Sequence, residues 1–286
     1  MAQHLGESEQ ISAELRKVLN SHGYGFQYAI LRRAMQLFSD RKSGWVFDGT
    51  EFPVVAGKET THVDFILRSR SSRTYLVAEC KRVDPSLGRW CFAQAPYTWR
   101  NYSHAEVIFD QFRCKPMNIL LQEPCIHSTQ RDVYHLSFEL KTNNKGDNIP
   151  HTGPAINQGV TQVLRGVSGL INYLFEAERR SYQEERIVRF VPVIFTTAQL
   201  WVTEVDVGAA NLSDGNLSIE AVQAKKIDWI WFNHNRSPHL RHSLEWNKLG
   251  SDLSRELKYE FTRSVAVVGP DGIDNFLAMD LEAWLE

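Results

Sequence analysis

The sequence predicts a mixed α/β fold, and three observations carry the prediction. Two helical patterns open the chain. Three strand patterns follow, on connections too short for parallel crossovers. A long amphipathic stretch then leads into an apolar run long enough for one core strand.

Within residues 8–22, Ile11, Leu15, Val18 and Leu19 recur at helical spacing, and Gly23 ends the pattern. A second helix spans about Phe26 to Phe38, with Phe26, Ile30, Leu31, Met35, Leu37 and Phe38 apolar. Strands are expected at roughly 45–55, 62–68 and 74–82. The segments between them, AGKETT and RSRSSR, are polar and turn-rich, so the three form an antiparallel meander. Residues 84–152 are rich in aromatic and basic groups but modest in apolar content. They read as an insertion subdomain within a single domain covering 1–286, with a strand candidate at 133–141 and a loop at 141–154. From Pro154 to about Glu178, Ile156, Val160, Val163, Leu164, Val167, Leu170, Ile171 and Leu174 make one continuous helical face. Further strands are expected at 190–198, 200–206, 227–234 and 264–269, and a closing helix near 271–285.

At 286 residues, with 43% apolar and 23% charged side chains, the chain has the composition of a globular protein with a full core. No run approaches the roughly 18 apolar residues that cross a bilayer. The N-terminus, MAQHLGESEQ, is polar and acidic, unlike a secretory signal. The cysteines (Cys80, Cys91, Cys114, Cys125) are too few and too irregular for a disulfide framework, so a cytoplasmic protein is expected. The net charge of −2 argues against strong non-specific nucleic-acid binding. Residues 66–115 are locally basic, with nine Lys and Arg against four Asp and Glu; a solvated surface and a phosphate-binding face both fit.

The candidate site lies in two adjacent strand segments, HVDFIL (62–67) and YLVAECKR (75–82), which hold Asp64, Glu79 and Lys81. Side chains alternate along a strand, so Glu79 and Lys81 share a face. The run into Glu79 reads as a buried strand, where charges are costly unless paired or bound to a metal. Asp64 with Arg68 or Lys81 as a structural ion pair is one explanation. A divalent-metal phosphodiesterase site is the other.

The order of helix, meander carrying Asp and then Glu-x-Lys, long helix and apolar strand resembles the PD-(D/E)xK nuclease superfamily. The residues carrying the likeness are Asp64, the run Glu79-Cys80-Lys81, Gln158 and Gln162 on the long helix, and PVIFTTA (192–198) as the next core strand. The resemblance covers about 25–85 and 154–206. It implies a restriction-endonuclease-like α/β fold, with a mixed sheet flanked by helices, and a metal-dependent nuclease acting on nucleic acid, DNA first. It further implies that Asp64, Glu79 and the Cys80 carbonyl hold Mg²⁺ or Mn²⁺. Lys81 would orient or deprotonate water, or stabilise developing negative charge. A homodimer would suit cutting of both strands. Two departures stand out: no proline precedes Asp64, and the first helix offers Gln27 where many members carry a glutamate. Glu51, on the preceding strand, is the candidate to compensate. A catalytically silent nuclease-fold module, binding nucleic acid or a partner, is the alternative function.

Weaker signals complete the reading. Gln158 and Gln162 lie one helical turn apart and suit a phosphate backbone or the metal site, although exposed glutamines are commonplace. Arg165 on that face, with Arg82, Arg89 and Arg100, are candidate phosphate contacts. Trp90, Tyr97, Trp99 and Tyr102 suit either base stacking or an aromatic lid over the sheet edge. His62 shares a strand face with Asp64 and is open to proton transfer or plain solvation. Cys91, Cys114, Cys125 and His127 lack paired zinc-ligand spacing, and buried free thiols are the default. No phosphate-binding loop, dinucleotide fingerprint or nucleophile elbow occurs.

Overall fold

The computed structural model describes residues 2–21, 23–70, 74–94, 106–115, 119–140, 154–177, 186–205, 210–218, 222–235 and 261–281. Two helices, α1 (Ala2–Ser21) and α2 (Tyr24–Ser39), precede the meander β1 (Trp45–Ala56), β2 (Glu59–Ser69) and β3 (Thr74–Lys81). Next come β4 (Arg89–Ala93), β5 (Glu106–Lys115), β6 (Ile119–Ser128), β7 (Val133–Tyr134) and β8 (Leu136–Leu140). After α3 (Pro154–Ala177) follow β9 (Arg186–Thr196), β10 (Gln199–Thr203), β11 (Ala224–Ile227), β12 (Trp229–Asn235), β13 (Thr262–Val268) and the short α4 (Ile273–Ala278).

A large mixed sheet runs in the order β1-β2-β3-β9-β13-β12-β7, with the β5–β6 hairpin attached to β9. The meander is antiparallel as expected, and β3 pairs in parallel with β9 along its whole length, from Thr74↔Arg189 to Lys81↔Thr196. On its other edge β9 pairs first with β5, up to Phe190, and then with β13, from Val193. Pro192 sits in that hand-over, so a residue without an N–H is accommodated inside a central strand.

The second sheet has the order β11-β10-β4-β8, and no sequence pattern predicts it as a separate sheet. The 84–152 block supplies strands to both sheets: β4 and β8 to the small one, β5, β6 and β7 to the large one. The expected strand at 133–141 divides at His135 between the two sheets, and the one at 227–234 divides at Asp228.

One apolar cluster joins α3 and the small sheet (Trp90, Phe92, Leu200) to one face of the large sheet. The other covers the opposite face with α2 and α4, through Ile30, Leu31, Leu37, Phe276 and Leu277. Helix α3 matches its expected span, and Val160, Val163, Leu164, Val167 and Leu170 are buried along it. Met35 of α2 faces solvent, as does the α1 stripe of Ile11, Leu15, Val18 and Leu19. The closing helix is shorter than expected: a 3₁₀ turn at Pro270–Gly272 precedes α4, and residues 282–285 lie outside the described residues, as does the 141–153 part of the expected loop. Among the described residues no helix is long and apolar enough to cross a membrane.

Candidate active site

Glu79 and Lys81 share the α3 side of β3 with Val77, as strand alternation requires. On β2 the alternation breaks. Val63 and Ile66 both join the cluster beneath α3, whereas Phe65 and Leu67 join the opposite one. The break falls at Asp64. Across the ladder, between the pairs Thr50↔Phe65 and Phe52↔Val63, Glu51 adopts φ 48. Asp64 turns its carboxylate to β3, where Oδ2 accepts from the Cys80 N–H at 2.6 Å.

Glu79 Oε1 lies 2.9 Å from Lys81 Nζ, and both side chains are largely buried. The same ammonium donates to Gln162 Oε1 on α3. Gln27 of α2 approaches from the other face: Nε2 donates to Glu51 Oε1 at 2.7 Å and to the Asp64 carbonyl at 2.8 Å. Thr50 Oγ1 donates to that carbonyl too, at 2.8 Å.

Burial pushes the Asp64 carboxyl up to about 6, against the opposing Cys80 N–H bond; the Glu51 charge adds to the rise and Lys81 counters it. Glu79 is pushed up to about 7, mainly by burial and then by the Asp64 charge, with Lys81 pulling the other way. The Cys80 thiol is raised well above its usual range by burial and then by the surrounding carboxylates.

Among the described residues no three His, Cys, Asp or Glu side chains are arranged to hold a metal ion together. The donor set of two carboxylates and a main-chain carbonyl does not require three such side chains. Its chemistry fits a hard divalent cation: oxygen donors, mostly buried, with Asp64 raising the cost of ionising Glu79. A cation between them would relieve that cost.

The remaining candidates are dispersed. Gln158 is exposed on α3. Arg165 pairs with Glu59 at 2.9 Å, and Arg82 donates to the Asn20 carbonyl at the end of α1. Arg89 is exposed at the start of β4, in the small sheet. Arg100, Tyr97, Trp99 and Tyr102 lie outside the described residues. Trp90 is fully buried core, which removes it from any stacking surface. Arg68 pairs with Asp48 at 3.2 Å, and Lys81 pairs with Glu79. His62 is exposed. Cys91 lies in the small sheet, apart in topology from Cys125 and His127 of β6, whose Sγ and Nε2 are 2.8 Å apart. The Cys114 side chain is outside the described set.

Two contributors escaped the sequence reading. Thr50 carried no signal. Gly159 carried one, since a glycine inside a strong helix marks close approach: a Cβ there would come within 3.3 Å of Lys81 Cγ. Glycine leaves that space to the lysine.

No family model, curated protein or solved structure matches the chain. Fold and site define a mixed α/β protein whose two neighbouring carboxylates and one ammonium are held on paired strands beneath a helix.

Proposed function

We propose that this protein is a divalent-metal-dependent nuclease of PD-(D/E)xK type, with a restriction-endonuclease-like core, hydrolysing phosphodiester bonds in DNA. The observation that carries the reading is the bond from the Cys80 N–H to Asp64, which holds that carboxylate against the strand bearing Glu79 and Lys81. Phosphodiester hydrolysis needs an activated water and neutralisation of charge at the phosphorus and the leaving oxygen. Mg²⁺ or Mn²⁺, when bound, supplies Lewis acidity and a more acidic water. Asp64, Glu79 and the Cys80 carbonyl would hold it. Lys81, steadied by Gln162, keeps a donor and a positive charge beside Glu79, suited to orienting water or meeting negative charge on a phosphoryl oxygen.

The test is cleavage of plasmid, linear and single-stranded DNA with Mg²⁺ or Mn²⁺, with Asp64→Ala and Lys81→Ala as comparisons. Metal-dependent cutting that both substitutions abolish supports the nuclease. One observation favours a second reading: α2 presents neutral Gln27 where the resemblance implies a carboxylate. Nucleic-acid binding without cutting, unchanged in both variants, would establish that silent binding module instead.

A further inference from the structure

Gln27 is 4% exposed, and its surroundings fix the orientation of its amide. A carboxylate oxygen of Glu51 and the main-chain oxygen of Asp64 lie at 2.7 and 2.8 Å, and both can only accept. The nitrogen must therefore be the atom that faces them. Thr50 Oγ1 is a third neighbour of that nitrogen, at 3.4 Å. Committed in this way, Gln27 does not offer its oxygen to the site. It acts as a donor that ties α2 to β1 and β2 at Glu51 and Asp64.

Glu51 is the second anomaly. A φ of 48 is uncommon for a residue with a long side chain, and Gly or Asn would adopt it at lower cost. Strain of this kind persists where the surroundings over-determine it. Here the over-determining contact is Gln27, and the group it holds is a carboxylate whose charge reaches both Asp64 and Glu79.

We infer that Gln27 is a positioning residue that holds Glu51 as a third anionic group of the site, an outer charge that strengthens divalent-cation binding without ligating the ion. The inference rests on the metal-dependent reading above. It accounts for three facts together: a buried amide with only acceptors around its nitrogen, a strained glutamate, and, among the described residues, no three acidic side chains placed to hold a metal together. Outer partners of this kind change metal affinity by about 10–100-fold when removed.

The experiment is calorimetric titration of the full chain with Mn²⁺ and with Mg²⁺. Glu51→Gln keeps an acceptor for Gln27 and removes the charge, whereas Glu51→Asp keeps the charge. Gln27→Leu removes the donor. Gln27→Asn, which withdraws the amide by one methylene, replaces it should the leucine variant fail to fold. Cation affinity is expected to fall about tenfold in Glu51→Gln, to fall severalfold in the Gln27 variant, and to be largely retained in Glu51→Asp. Unchanged affinity in Glu51→Gln, with wild type binding, overturns the role of Glu51 and leaves the nuclease reading standing. Weakened Glu51→Gln beside an unaffected Gln27 variant overturns the positioning role. A wild-type chain that binds neither cation overturns this inference and the metal-dependent reading together.

Discussion

Lys81 lies in a notch of α3 that exists because residue 159 is glycine: an added Cβ would come within 3.3 Å of Lys81 Cγ and 3.4 Å of its Cε. Helix propensity alone favours alanine over glycine by about 1 kcal/mol, so the notch runs against the local preference. Gly159→Ala is therefore expected to leave thermal stability nearly unchanged, as better propensity offsets crowding. It should shift Lys81 away from Gln162 and Glu79 and, on the proposed nuclease reading, slow metal-dependent cleavage more than tenfold, since a misplacement of about 1 Å can cost on the order of 100-fold. Cleavage at the wild-type rate by a stably folded variant would show that the notch does not position the lysine.

The raised carboxyls make stability depend on pH in a definite direction. Asp64 and Glu79 sit above their unfolded values, at about 6 and about 7, because burial disfavours their charged forms. Below the unfolded values both states are protonated, and the native state suffers no penalty. As pH rises towards 7 the unfolded state releases these protons first, so folding stability falls through that window and then levels off. In EDTA the melting temperature should drop between pH 5 and pH 7.5, and Glu79→Gln should flatten the drop. On the proposed metal-dependent reading, adding Mn²⁺ should restore stability most at the higher pH. A profile identical in wild type and Glu79→Gln would refute the assignment.

The elements legible in the sequence are those whose signals are local. The meander follows from short polar connections, and α3 from an unbroken apolar face. Two strands of the small sheet, β8 and β11, were illegible because they run directly into strands of the large one. LSFEL continues VY, and AKKI leads into WIWFNHN, yet each pair divides between the two sheets at one residue, His135 or Asp228. No change of period marks those points; tertiary pairing alone decides them. At the site, alternation placed Glu79 and Lys81 on one face correctly. The break in alternation at Asp64, and the direction of the Gln27 amide, depend on neighbours from β1 and α2 that no spacing rule exposes.

Glu139 links the small sheet to α3. It is 1% exposed, and Oε1 accepts from the N–H groups of Ala155 at 2.6 Å and Ile156 at 3.0 Å. These are donors that the first turn of a helix cannot satisfy internally, and the carboxylate also meets the positive end of the helix dipole. Glu139→Ala leaves both N–H groups without this acceptor and should lower stability by about 1–3 kcal/mol in urea unfolding. Glu139→Gln, which keeps an acceptor oxygen, should lose less. Equal stability of wild type and the alanine variant would mean that water replaces the carboxylate at no cost.

Arg263 of β13 and Asp110 of β5 form an ion pair at 2.8 Å with both side chains 3% exposed, and Arg263 also donates to the Thr262 carbonyl at 2.7 Å. The pair spans the place where β9 exchanges β5 for β13 as its neighbour, so it fastens the hairpin to the sheet at its least regular point. Removing one partner strands a buried charge. Asp110→Leu should therefore destabilise by about 3–5 kcal/mol. The double substitution Asp110→Leu with Arg263→Met removes both charges and should recover most of that loss, because desolvating two ions offsets much of their attraction. Urea unfolding of the four proteins measures the coupling. A double variant no more stable than Asp110→Leu would show that the guanidinium's other contacts, and not its pairing with Asp110, hold this region together.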